Sequence, residues 1–255
     1  MSTLVKKYLM ALSGIVLAGF VFFHMAGNLQ IFLHPDALND YAYFLHHTLP
    51  ASVLWLFRIV LLVAVVVHIW VAILLKKDNR AARPEKYAVK DHKCASNAAR
   101  YAMVSGLILL SFIIFHLLHF TTRDVFQSFE YILQDTEERG VHQDLYARMV
   151  WGFSSHFWYV SAFYVVSMAM LAWHLSHGVS SLFQSLGIRN EKWRYRLDKV
   201  ALGYSAIVSA GFIVVPLGVL VTEFTPIDVI YDGKTIIEDL NQWNQNSEVF
   251  FDYNQ

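Results

Sequence analysis

Charge is scarce in this sequence, and cysteine is all but absent. Asp, Glu, Lys and Arg make up only 16% of the 255 residues, where a water-soluble domain carries about a quarter. That deficit argues against an ordinary soluble globule and for burial in lipid. The formal net charge is zero, so the chain as a whole offers nothing to a nucleic acid or another polyanion. The single cysteine, Cys94, excludes an intramolecular disulfide and any CxxC metal or redox motif. There is no solenoid-type repeat and no low-complexity segment.

Apolar length is what the chain has instead. Hydrophobic residues reach 56% and the mean hydropathy is +0.41. A membrane helix needs about 20 mostly apolar residues to cross about 30 Å. Five segments qualify: Tyr8 to Leu33, Ala51 to Leu75, Tyr101 to Thr122, Met149 to Ile188 and Val200 to Thr222. Among them only the second holds a formal charge, Arg58, and the fifth holds Pro216, where a kink or local unwinding is expected. The expected fold class is an all-α membrane protein with a five-helix transmembrane bundle over residues 1–222. A polar, acidic, external tail follows over 223–255. The N-terminal apolar run is longer than the core of a signal peptide, about 7–15 residues, so it reads as the first span.

Basic residues collect at Lys6 and Lys7, between segments two and three, and between four and five. The remaining loops lean acidic. The positive-inside bias therefore predicts a cytoplasmic N-terminus and an external C-terminus, which an odd number of spans also requires.

Twelve histidines are many for this length, and four of them, His24, His68, His116 and His177, lie in four different apolar segments. At a rise of about 1.5 Å per residue, His24 and His116 fall about 25 Å from the inner face, and His68 and His177 about 12 Å from it. Two imidazoles at one depth, on different helices, are what a six-coordinate haem needs. Two such levels suit two b-type haems with centres about 13 Å apart along the membrane normal. One outer and one inner ligand each have a competitor three residues away, His119 beside His116 and His174 beside His177. Depth slightly favours His116 over His119 but does not separate His174 from His177; Gly178 favours His177 by allowing close approach. His119 and His174 are then candidates for propionate or supporting contacts. Gly14 and Gly106, each ten residues before a histidine, fall near the inner level, where small residues would let a flat macrocycle pack.

Taken together, FFHMAGNLQIF at 22–32, FRIVLLVAVVVHIWVAILL at 57–75, GLILLSFIIFHLLHF at 106–120 and HLSHG at 174–178 resemble a known family. They are similar to the single-anchor, five-helix dihaem cytochrome b subunit of succinate:quinone oxidoreductases, the succinate dehydrogenase and fumarate reductase complexes. The likeness covers roughly residues 1–222. It implies two haem b groups, with His24 and His116 as axial ligands of the distal one and His68 and His177 of the proximal one. It also implies a flavoprotein and an iron–sulfur protein as cytoplasmic partners, a membrane quinone, with a leaning to menaquinone, as substrate, and a bacterial cytoplasmic (inner) membrane location. A dimer of that heterotrimer is a further arrangement within the family.

Arg58 lies near the distal level and is expected at a haem propionate or the quinone pocket, with snorkelling to the outer interface as the alternative. Arg100 is placed to serve a proximal propionate or to anchor the inner interface. For the quinone the first external loop offers Asn39, Asp40, Tyr43, His46 and His47. The chain departs from some fumarate reductases of the family at Leu175, where those carry a glutamate used for compensating proton transfer. Two rivals stand beside this reading: the cytochrome b subunit of a hydrogenase or formate dehydrogenase, and a haem-free transporter whose histidines relay protons.

Overall fold

A computed structural model describes residues 1–82, 97–122, 124–125, 133–136 and 140–252; for 97–100, 133–136, 140–143 and 243–252 the description is of backbone elements alone. Its helices are α1 (Thr3–Asn28), α2 (Pro35–Tyr43), α3 (Ala51–Ala81), α4 (Asn97–His116), α5 (Leu145–Gly152), α6 (Trp158–Ser185), α7 (Glu191–Phe224) and α8 (Gly233–Asp252). Five stretches, Thr3–Phe32, Ala51–Ala81, Tyr101–Thr121, Ser155–Ser185 and Glu191–Phe224, are long and apolar enough to cross a membrane. The protein is an all-α membrane protein, as the hydropathy predicts. Its apolar surface fits lipid: on α3, Leu62, Val66 and Trp70 are each more than half exposed, and only Ala64 and Val71 are buried.

The departures from the sequence reading are local. The fourth apolar run is divided, with α5 ending at Gly152 and a 3-10 turn, Ser155–Phe157, leading into α6. The division is held by Glu223, whose carboxylate accepts from the Ser155 backbone N–H at 2.7 Å and from its hydroxyl at 2.5 Å. The backbone N–H is a donor that a helix start leaves unsatisfied. The helix α7 is not unwound at Pro216 but runs through it. Within the acidic segment, helix α8 packs on α5. One antiparallel hairpin, β1 (Leu133–Thr136) with β2 (Gly140–Gln143), lies outside the helical pattern altogether.

The chain divides into two compact units. The first comprises Met1–His24, Leu49–Leu109 and Ala169–Ser209. Lys6 on α1 pairs with Asp78 near the end of α3 at 2.5 Å. The turn after α6 is closed by Gly187 in a left-handed conformation, φ 74°, the usual glycine stop. Asp198 then accepts from Arg189 (2.8 and 3.2 Å) and Ser180 (2.6 Å), fixing the entry to α7.

The second unit comprises Met25–Thr48, Leu110–Met168 and Ala210–Gln255. Its core gathers Ile31, Leu38, Tyr146, Val150, Trp151, Val160, Val219 and Ile230, all essentially fully buried. Pro35 opens α2, where its missing N–H costs nothing. Asp144 caps α5 by accepting from the Ala147 N–H at 2.8 Å. Asn39, 2% exposed, clasps the two helices: its amide donates to Asp144 at 2.9 Å and accepts from the Tyr146 N–H at 3.0 Å. Thr222 accepts from the N–H groups of Val229 and Ile230, turning the chain from α7 back toward α8. The Tyr146 hydroxyl donates to the Tyr231 carbonyl at 2.8 Å. Burial, then the charges of Asp228, Asp232 and Asp144, push that phenol well above its ordinary value.

Candidate functional site

The histidines of the apolar segments collect in two groups, one in each unit. In the first unit His68 on α3 faces His174 on α6, with ring centroids 6.2 Å apart and planes inclined at 61°. Each imidazole rests on a Ser-Gly pair of another helix. His68 Nδ1 lies 3.3 Å from the Ser13 hydroxyl on α1, and a Cβ on Gly14 would sit 3.8 Å from its Cε1. His174 Nδ1 lies 3.2 Å from the Ser105 hydroxyl on α4, and a Cβ on Gly106 would sit 3.6 Å from its Cε1. Four helices therefore build one arrangement twice. Gly14 and Gly106, singled out as small residues for a macrocycle, are the residues on which the two rings lie.

The ring set against His68 is that of His174, not His177. His177 follows one turn later on α6 and is half-buried. Gly178, which favoured it in the sequence, meets nothing within 4 Å that a side chain there would touch, so close packing does not mark His177. The sequence reading pairs His68 with His177; in the structure the ring beside His68 is that of His174. His24, also in the first unit, is half-buried and stacks on Phe20 one turn before it, with centroids 5.2 Å apart.

In the second unit α4 ends at His116, and a π-helical turn, Leu117–Thr121, carries His119. Such widened turns recur at functional positions, since they re-aim side chains that an α-helix would hold elsewhere. The Tyr164 hydroxyl on α6 lies 3.1 Å from His116 Nδ1 and 2.9 Å from His119 Nδ1. His119 is completely buried among the rings of Phe115, Phe120 and Phe153.

The remaining predicted residues divide clearly. Arg58 is exposed, and its guanidinium lies 5.2 Å over the Trp55 ring, an interfacial cation–aromatic pair. This exposure suits the snorkelling alternative. Arg100 stands in the first turn of α4, and its side chain lies outside the described residues. Asn39 is engaged in the α2–α5 clasp, a structural role that the sequence reading did not give it. Asp40, His46 and His47 are exposed, and Tyr43 stacks on His47 at 4.7 Å. Gly27 is a packing residue, since a Cβ there would sit 3.0 Å from Tyr41. The sequence reading passed over Ser13, Ser105 and Tyr164, the hydroxyls that meet the histidines. It also passed over Arg148 of α5, 3% exposed, which lies one residue before the apolar run.

Two imidazoles are a two-donor set, so a metal held by His68 and His174 must bring its other ligands with it, as haem iron does. Two metal–nitrogen bonds of about 2 Å and two ring radii of about 1 Å span about 6 Å, the separation of these rings. The residues fit such a group. Compared with known proteins, the chain matches no family model, no curated sequence and no solved structure.

Proposed function

We propose that this protein is the membrane-anchor cytochrome b subunit of a succinate:quinone oxidoreductase, carrying electrons between an iron–sulfur partner and a membrane quinone. The observation that carries the reading is the facing pair His68 and His174, each on its own Ser-Gly seat, within a chain of five membrane-length helices. His68 and His174 would hold one haem b, and the resemblance implies a second. Each haem, when bound, supplies one-electron exchange at its iron. The imidazoles fix the metal between helices, and the apolar segments around them keep water away. Dicarboxylate chemistry belongs to a flavoprotein partner docked with the iron–sulfur protein. The basic loops, on the cytoplasmic side by the positive-inside rule, are the surface offered to them. A bacterial inner-membrane location and a menaquinone-type substrate follow from the same resemblance.

A proton-relay transporter is the second reading, and one observation favours it: imidazoles joined through buried hydroxyls, as at Tyr164, are also what a relay uses. A pyridine haemochrome assay on the purified chain separates the two. Two b-type haems per chain are expected, and a haem-free protein refutes the cytochrome reading. Co-purification of flavin and iron–sulfur subunits, with succinate:quinone activity, then distinguishes it from the cytochrome b of a hydrogenase or formate dehydrogenase.

A further inference from the structure

Ser13 and Ser105 are buried, 6% and 2% exposed, and each hydroxyl has carbonyls of its own helix within reach. Ser13 Oγ lies 2.8 Å from the Leu9 carbonyl and 3.1 Å from that of Met10. Ser105 Oγ lies 3.2 Å from the Tyr101 carbonyl and 3.1 Å from that of Ala102. A serine hydroxyl has one proton and two lone pairs. A hydroxyl that donates to those carbonyls keeps its lone pairs for the imidazole. With the hydroxyl engaged in this way, the proton between each serine and its histidine is the histidine's own, on Nδ1. A neutral imidazole with its proton on Nδ1 has its lone pair on Nε2.

We infer that Ser13 and Ser105 are a matched pair of positioning residues that hold His68 and His174 in the same tautomer and ring orientation, so that both present Nε2 to one metal centre. The inference rests on the haem reading above and adds to it. Ligand histidines commonly donate their other ring N–H to a nearby acceptor, which fixes the ring and makes it a stronger donor. Here the acceptor is a hydroxyl already oriented by its own helix, and the following glycine, Gly14 or Gly106, leaves room for the ring edge beside it.

The test compares Ser13→Ala, Ser105→Ala and the double variant with Ser13→Thr and Ser105→Thr in the full chain, by haem content, redox titration and low-temperature electron paramagnetic resonance. Removing an acceptor weakens the imidazole as a donor to ferric iron. The alanine variants are therefore expected to raise the midpoint potential of one haem and shift its low-spin ferric signal, while the other haem is unchanged. The double variant should move the same haem further. The threonine variants keep the hydroxyl and should match the parent protein. If an alanine variant loses that haem entirely while its threonine counterpart retains it, the inference also stands. Two haems with unchanged potentials and signals in the alanine variants overturn it, as does equal loss in the alanine and threonine variants. A parent protein without haem overturns the functional reading and this inference with it; the alanine results overturn this inference alone.

Discussion

The two histidine groups solve one problem differently. In the first unit each imidazole has its own serine, and the two serines are equivalent, so both rings meet the same kind of partner. In the second unit His116 and His119 share Tyr164, whose hydroxyl has a single proton and cannot donate to both. Equivalent partners suit two ligands of one metal. A shared partner suits two neighbours with unequal tasks, which fits His116 and His119 standing on one helix, a turn apart. The contrast explains why a count of histidines is less informative than the hydroxyls that hold them.

The comparison breaks most sharply at the rings themselves. His68→Ala or His174→Ala should lower the haem content from two to one per chain, while His177→Ala keeps both; a haemochrome assay reads this directly. Equal loss in His177→Ala and His174→Ala would undo the pairing. Next in size, Asn39→Ala removes both amide bonds of the α2–α5 clasp. Each bond left unmade in a buried site costs about 1–3 kcal/mol, so the thermal midpoint in detergent should fall clearly while haem spectra at low temperature stay unchanged. Tyr164→Phe keeps the ring packing and deletes the shared hydroxyl. It should cost about 1–3 kcal/mol and perturb the signal of one haem only, not the one that Ser13 and Ser105 affect.

A smaller effect concerns pH. The Tyr146 phenol is raised above 10.0 in the folded protein, first by burial and then by Asp228, Asp232 and Asp144. The folded state therefore holds this proton more tightly than the unfolded chain does. The stability it contributes is complete below pH 10 and declines as pH rises beyond that. Tyr146→Phe should flatten the alkaline decline in thermal melts. The smallest effect is expected at Arg58→Leu. An exposed arginine over Trp55 is worth about 0.5–1 kcal/mol, and haem spectra and quinol turnover should not change.

Much of the fold was legible in the sequence because hydropathy reports span length directly. The five spans and the histidines within them follow from it. What it missed has physical causes. Ser155 looks like an ordinary small residue in an apolar run, and the distant Glu223 holds it as a helix start. Helix α8 is polar on average, so its few apolar contacts, Ile236, Ile237 and Leu240, did not stand out. His174 and His177 differ by less than one turn, too little for a depth argument. Their neighbours on other helices separate them, and a lone serine in a membrane helix gives no hint that it will meet an imidazole.

The packing of α8 has a consequence for how the protein is made. Ile230 and Ile237 are buried in the core of the second unit alongside Ile31 and Leu38. Ile31 and Leu38 must therefore wait for Ile230 and Ile237 to be translated before that core can close. Until then the unit offers unfinished apolar surface at the membrane boundary, and a prematurely terminated chain would be a ready target for quality-control proteolysis.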